Sequence, residues 1–200
     1  MSKYFSIDTE ATGLEEDTHM IQLAIVPVDV AEGKIYSELG KEWLVKCPSF
    51  EDLKPKLNPW VLEHNESLIR DAHAKGLELG QLKEKFKEYL ESAEIKKFRG
   101  DSRPLFLGKS LSALDIPLLT RYFGKKFLET YFHHHTVDIT CVARGLVDAG
   151  ALPDGCESTS KLLRHFQIRD DARHTALSDA EDMANAYLKI LDWIGKHFAQ

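Results

Sequence analysis

Two carboxylates follow the first apolar run of the chain, in the segment FSIDTEATGL at residues 5–14. Asp8 and Glu10 are two residues apart, so in a β-strand both side chains would lie on the same face. Two buried carboxylates repel each other and lose their hydration. The pattern therefore predicts a site for positive charge at the end of this strand. A solvated pair of surface carboxylates is the alternative.

A second acidic residue of interest is Asp115, in the segment LFLGKSLSALDIPLL. It follows an apolar strand and a glycine turn, close to the start of a helix. Asp115 is therefore a candidate ligand beside the first pair. Alternatively it is a helix cap, either alone ahead of Pro117 or in a capping box with Ser112.

The third motif is RHTALSDAED, at residues 173–182. Ser178 and Glu181 have capping-box spacing, which predicts that Asp179 lies in the first turn of the last helix. His174 then falls in the preceding loop, from which it can move toward a substrate. The alternatives are a surface histidine and an aspartate that only complements the helix dipole.

Strands and helices must bring these motifs together, and the hydrophobic periodicity of the sequence predicts both kinds of element. Strands come first, and helices then alternate with strands, which is typical of an α/β protein with a mixed sheet. Strands are predicted at residues 3–10, 20–30, 33–47, 103–108 and 134–140, and helices at 58–76, 79–95, 114–124, 138–150 and 178–198.

Composition narrows the class of protein further. The 200 residues, 43% of them apolar, predict one domain spanning 1–200. The sequence has no apolar run long enough to span a membrane, which predicts no membrane partner. It shows no secretory signal, and its three cysteines are scattered, so we expect a cytoplasmic protein with reduced thiols. The net charge of −6 argues against long, non-specific duplex binding, but it allows a site that holds a nucleic-acid end through metal ions.

The order and approximate spacing of the three motifs resemble those of the DEDDh 3′→5′ exonucleases, the DnaQ-like group. The first motif (Asp-x-Glu-x-Thr-Gly) and the third (His-x-Ala-x-x-Asp) are specific. The second departs from the family, which often has an asparagine shortly before the aspartate, whereas this chain has Lys109-Ser110-Leu111-Ser112. The resemblance implies a ribonuclease H-like fold, with a mixed central sheet flanked by helices.

The resemblance also implies a two-metal site and a reaction. Two Mg²⁺ or Mn²⁺ ions would be held by carboxylates, and His174, with an ordinary pKa near 6.5, would act as general base. The substrate would be a single-stranded RNA or DNA 3′ end, and the products nucleoside 5′-monophosphates. The implied ligands are Asp8, Glu10, Asp115 and Asp179.

Substrate contacts follow from the same resemblance. The residues after the first motif would line the terminal nucleotide, with Gly13 allowing close approach and Leu14 wedged against a base. Trp60 would offer a stacking surface, or else be a core residue at a helix entry. The assigned residues are Ala11, Thr12, Gly13, Leu14, Trp60, Ser110 and His134.

The stretch YFHHHTVDIT at residues 131–140 resembles oligoribonuclease, whose relatives are homodimers and have a tyrosine where His134 stands here. This resemblance favours RNA over DNA and implies a homodimer. Because side chains alternate along a strand, a metal site formed by three consecutive histidines is not expected.

A basic surplus between residues 81 and 126 would guide a nucleic-acid strand, or else form a solvated helix face interleaved with glutamates. Two other functions stay open. One is a non-catalytic nucleic-acid-binding module, and the other is a nucleotide phosphohydrolase on the same scaffold.

Overall fold

The computed structural model describes residues 3–15, 17–169 and 175–198, and for Phe198 only the backbone. Its centre is a mixed six-stranded sheet with the order β3-β2-β1-β5-β6, in which β4 also pairs with β2. β1 is antiparallel to β2 but parallel to β5, which in turn is parallel to β6. The strands are β1 (Lys3–Ala11), β2 (Met20–Asp29), β3 (Lys34–Ile35), β4 (Lys41–Leu44), β5 (Leu105–Gly108) and β6 (Thr136–Asp138).

Helices cover the sheet, as the α/β prediction required. Those of the described residues are α1 (Phe50–Leu53), α2 (Pro59–His64), α3 (Glu66–Lys75), α4 (Leu79–Glu91), α5 (Ala93–Arg99), α6 (Asp115–Phe123), α7 (Lys125–Tyr131), α8 (Ile139–Asp148), α9 (Thr159–His165) and α10 (Ala176–Phe198).

Several predicted boundaries are wrong, each for a local reason. A short 3₁₀ turn, Ser37–Leu39, splits the predicted strand at 33–47 into β3 and β4. The predicted helix at 79–95 is interrupted at Ser92, whose extended backbone (ψ 155°) lets its hydroxyl cap α5. The predicted helix at 58–76 also divides, at Asn65 between α2 and α3, but there the backbone leaves the helical conformation (φ −110°, ψ 3°) without a side-chain cap.

The two faces of β1 pack against different partners. Phe5 and Ile7 belong to a cluster that includes Phe86 on α4 and Phe132 after α7. On the opposite face, Tyr4 packs edge-on against Tyr187 of α10, with ring centroids 5.5 Å apart. The alternation of side chains along the strand therefore directs Asp8 and Glu10 toward α10.

No helix in the described part of the chain is both long and apolar enough to cross a membrane.

Candidate active site

Three of the predicted ligands converge where β1 meets α10. One carboxylate oxygen from each of Asp8, Glu10 and Asp179 lies within 4.8 Å of the other two. Asp8 and Glu10 share a face of β1, and Asp179 lies in the first turn of α10. The site therefore joins residues about 170 positions apart in the sequence.

Hydrogen bonds fasten the start of α10 to the sheet. The buried Ser6 hydroxyl donates to the carbonyl oxygen of Ala180 at 2.7 Å. The side chain of Gln22 on β2 accepts from the amide of Ala176 at 3.2 Å. These two bonds fix the position of Asp179 over β1.

The predicted cap of this helix is wrong. α10 begins at Ala176, and the Thr175 hydroxyl accepts from the Ser178 amide at 3.3 Å, so Ser178 is already inside the helix. Asp179 remains in the first turn, as predicted. His174 lies outside the described residues, so its role as general base stays a prediction.

Asp115 lies close enough to Asp8 for its charge to raise the pKa of Asp8, but it is not a member of the three-carboxylate group. It is the first residue of α6 and only 5% exposed, and its Oδ1 accepts a hydrogen bond of 2.7 Å from the Thr9 hydroxyl. The preceding loop is held by Asp138, whose Oδ2 accepts from the Leu111 amide at 3.0 Å. Asp115 is thus bonded to Thr9 of β1 and is the first residue of α6 rather than its N-cap, a position that Leu114 occupies.

Burial and mutual repulsion raise the pKa of these carboxylates. The pKa of Asp8 lies well above its ordinary value because of burial, with further contributions from Asp115, Glu10 and Asp179. Burial and the Asp179 charge raise the pKa of Glu10 to about 7, against a hydrogen bond from Asn65. Burial raises the pKa of Asp115 to about 7 as well. The cluster is therefore unfavourable when fully ionised unless a cation neutralises it.

A cavity of about 650 Å³ opens over the carboxylates. Its size fits a nucleotide-sized ligand. Leu14 (74% exposed) and Trp60 (53% exposed) stand on its wall as large apolar side chains facing solvent. The Trp60 ring stacks on His64 with centroids 4.5 Å apart. Trp60 is therefore not a core residue.

The other predicted substrate residues divide into two groups. Ala11 and Gly13 line the cavity. Thr12, Ser110 and His134 are not among its described lining residues. Thr12 is buried and its hydroxyl accepts from the His19 amide at 2.8 Å, so it supports the loop after β1.

Sequence reasoning did not assign several lining residues to the site. Arg169 is the most distinctive: its Nη2 lies 3.0 Å from Asp179 Oδ1 and 2.7 Å from Asp182 Oδ2. Its side chain is 13% exposed, so the guanidinium forms a nearly buried bridge between the two aspartates. The spacing of Asp179 and Asp182 on one helix face was the available signal, since such a pair needs a cation.

Polar side chains also line the cavity over the carboxylates. Lys109 follows β5, and the buried Asn65 separates α2 from α3 and contacts Glu10. Across the cavity, the segment from Ser158 to Ser160 presents three hydroxyls. Cations and hydroxyl donors beside a carboxylate cluster suit a ligand that carries phosphate.

The donor set fits hard divalent cations. All of the converging ligands are carboxylate oxygens, which Mg²⁺ and Mn²⁺ prefer, and there is no thiolate or imidazole among the described ligand atoms. The raised pKa values of Asp8 and Glu10 mean that a bound cation would favour the ionised carboxylates, which are otherwise destabilised by burial and mutual repulsion.

Solved structures share this architecture. The nuclease domain of 3′hExo, a DEDDh family member bound to rAMP, matches with a TM-score of 0.67 and 15% identity over 96% of this chain and 92% of that chain. Cell-death related nuclease 4 (CRN-4) matches with a TM-score of 0.71 and 16% identity over 96% of this chain and 64% of that one. Mg²⁺- and Mn²⁺-bound S. pombe Pop2p matches with a TM-score of 0.67 and 16% identity over 98% and 84%.

No protein-family profile and no curated protein sequence matches the chain. At these identities the structural likeness establishes the fold. The chain has the ribonuclease H-like α/β fold of DEDDh-type exonuclease domains, as its motifs predicted.

Proposed function

We propose that residues 1–200 form a single metal-dependent 3′→5′ exonuclease domain that removes nucleoside 5′-monophosphates from single-stranded nucleic acid or short oligonucleotides. The observation that carries the proposal is the convergence of Asp8, Glu10 and Asp179 within 4.8 Å on this fold, at the base of a nucleotide-sized cavity. Neighbours with the same fold are described as nucleases, and one was solved with rAMP.

The carboxylates would hold two Mg²⁺ or Mn²⁺ ions, which supply Lewis acidity toward the phosphodiester when bound. Asp8, Glu10 and Asp179 provide the inner group of oxygens, and Asp115 provides a further carboxylate beside Asp8. Thr9 restrains Asp115 through its hydrogen bond, which fixes the direction of the remaining oxygen. His174 is proposed to take the proton of the attacking water.

Arg169 is proposed as a positioning residue. Its bridge to Asp182 holds the guanidinium next to Asp179, so the carboxylate cannot rotate away from Asp8 and Glu10. The same charge offsets part of the repulsion in the cluster. Lys109, which also lines the cavity close to Asp8 and Glu10, would attract the phosphate of the strand.

The exposed apolar pair would bind the terminal base. Leu14 and Trp60 project into the same cavity from two different elements, the loop after β1 and helix α2. A base between them would stack on the indole, an interaction worth about 1–3 kcal/mol and tolerant of sequence.

The test is degradation of 5′-labelled single-stranded RNA and DNA of several lengths with Mg²⁺, Mn²⁺ or EDTA. We expect a metal-dependent ladder that shortens from the 3′ end. Asp8→Asn should reduce the rate by at least about 100-fold, the scale on which loss of one transition-state contact acts. Asp17→Asn is the matched control, because Asp17 is exposed and, among the described residues, forms an ion pair with the exposed Lys56.

Other outcomes would reject the proposal. Cleavage that persists in EDTA or in Asp8→Asn would show that the cluster is not the catalytic centre. Intact strands that still shift on a binding gel would indicate a non-catalytic binding module. Hydrolysis of free nucleotides without cleavage of strands would indicate a nucleotide phosphohydrolase.

A further inference from the structure

Three consecutive histidines form a second cluster of metal-ligating groups. His133, His134 and His135 each place a ring nitrogen within 4.8 Å of the other two. Their rings are in mutual contact, with centroid separations of 4.2–4.7 Å. The expectation that strand alternation would separate them is wrong, because they lie in an irregular segment that ends where β6 begins.

The backbone of this segment is anchored on both sides. Phe132 is buried and stacks on Phe106 with centroids 4.2 Å apart, and the His133 amide donates to the carbonyl oxygen of Pro104 at 3.0 Å. On the other side, Thr136 enters the ladder opposite Phe106. The exposed rings of His134 and His135 can therefore rotate while their backbone stays in place.

The histidines lie far from the carboxylates. β1, β5 and β6 are parallel, and the histidines precede β6 whereas Asp8 and Glu10 approach the other end of β1. Thr136 is level with Phe5 through Phe106, so Asp8 is three residues further along the strands, about 10 Å, and two strand spacings, about 10 Å, to the side.

We propose that His133, His134 and His135 form a separate site for a borderline divalent cation such as Zn²⁺. Imidazole nitrogen is the donor that Zn²⁺, Cu²⁺ and Ni²⁺ favour, whereas the carboxylate site selects hard ions. Zinc–nitrogen distances are about 2.0–2.1 Å, so small rotations of the rings would close the present spacing around one ion. The remaining coordination position would face solvent, since His134 and His135 are exposed.

One hydrogen bond must break when the ion binds. The His135 amide donates to Nδ1 of His133 at 3.0 Å. Coordination through Nδ1 uses the lone pair that accepts this bond. Coordination through Nε2 moves the ring proton to Nδ1, which then cannot accept. Either route breaks the hydrogen bond of the His135 amide, so the NMR resonance of this amide should shift when the ion binds.

The positive charge of Arg103 disfavours the binding of a cation by the histidines, but this charge has a partner of its own. Arg103 lies near His133, but its Nη1 is engaged by the carbonyl oxygen of Glu129 at 2.8 Å. Together, burial, the neighbouring histidines and Arg103 lower the pKa of His133. That direction favours the neutral ring, which is the form that binds a metal.

The experiment is a Zn²⁺ titration of the untagged full chain in excess Mg²⁺, which competes with Zn²⁺ for the carboxylate site. We expect one Zn²⁺ per chain by calorimetry and a shift of the His135 amide resonance in ¹⁵N NMR spectra. His134→Asn and His135→Asn should each weaken binding by more than about 100-fold, because loss of an outer-shell partner alone costs about 10–100-fold. His197→Asn, which changes an exposed histidine at the other end of the chain, should bind normally.

Unchanged Zn²⁺ affinity in both variants would overturn the proposal, as would an unperturbed His135 amide at saturating Zn²⁺. The NMR spectra report folding of each variant at the same time. The proposal does not depend on nuclease activity, so a negative degradation assay leaves it standing.

Discussion

Glu10→Gln is expected to stabilise the metal-free protein while abolishing its activity. Glutamine keeps the shape of the side chain and can still accept a hydrogen bond from Asn65, but it removes one of the converging charges. The rise in the pKa of Glu10 from 4.5 to about 7 corresponds to about 3 kcal/mol of unfavourable free energy when the group is ionised. That value is the upper limit of the gain.

The gain has a definite pH dependence. Folded Glu10 keeps its proton up to about pH 7, whereas unfolded Glu10 releases it near pH 4.5, so the wild-type protein loses stability as the pH rises through this window. Glutamine does not titrate. The two proteins should therefore have the same stability contribution below about pH 4.5, and the advantage of Glu10→Gln should grow until about pH 7 and then level off.

The assay is thermal unfolding in EDTA at pH 5 and pH 8. For a chain of this length 1 kcal/mol shifts Tm by about 2–4 °C, so the variant should melt up to about 6–12 °C higher at pH 8. Mn²⁺ should raise the Tm of the wild type more than that of the variant. Glu84→Gln, an exposed position on α4, is the control and should change stability by less than about 0.5 kcal/mol. A variant that is less stable than wild type at pH 8, or equally shifted at both pH values, would refute the reasoning.

Three further predictions concern the parts that surround the carboxylates. Trp60→Ala should raise KM for oligonucleotides by about 5- to 150-fold, because about 1–3 kcal/mol of stacking is lost. Tm should change little, since the ring is 53% exposed. An unchanged KM would show that Trp60 is not part of the substrate site. Ser6→Ala should lower the free energy of unfolding by about 0.5–1.5 kcal/mol in urea, since the bond to Ala180 is lost, and a neutral effect would mean that α10 does not need this contact. Arg169→Gln should lower the free energy of unfolding by about 3 kcal/mol, because the nearly buried ion pair with Asp182 is broken. Adding Asp182→Asn should recover part of this loss, and additive losses in the double variant would contradict the bridge.

The sequence determined the local features of the site. Alternation along β1 was enough to place Asp8 and Glu10 on one face, and Asp179 lies in the first turn of the last helix as predicted, although the capping box used to predict it does not form. Glycines at predicted helix ends were also informative: Gly124 and Gly150 have φ values of +88° and +70°, which favour residues without a Cβ. Such features depend on near neighbours in the chain, which a sequence pattern records.

Boundaries were less predictable because a single capping side chain decides them. Ser92 lies inside a segment whose apolar residues have helical spacing. Its hydroxyl nevertheless accepts a hydrogen bond from the Ile95 amide, and a new helix begins there. The three histidines were placed on a strand by their proximity to β6, although the ladder begins only at Thr136. In both cases competing local hydrogen bonds changed the conformation within one or two residues.

Only the tertiary structure decided which side chains meet across the molecule. The pairing of Arg169 with Asp179 and Asp182, the bond from Thr9 to Asp115, and the cavity between Leu14 and Trp60 all join separate elements. Periodicity gives the buried face of each element, but the partner of that face depends on packing the whole chain at once. The sequence therefore predicted the acidic residues of the site. The fold determined which of them converge, and that Arg169 lies beside Asp179.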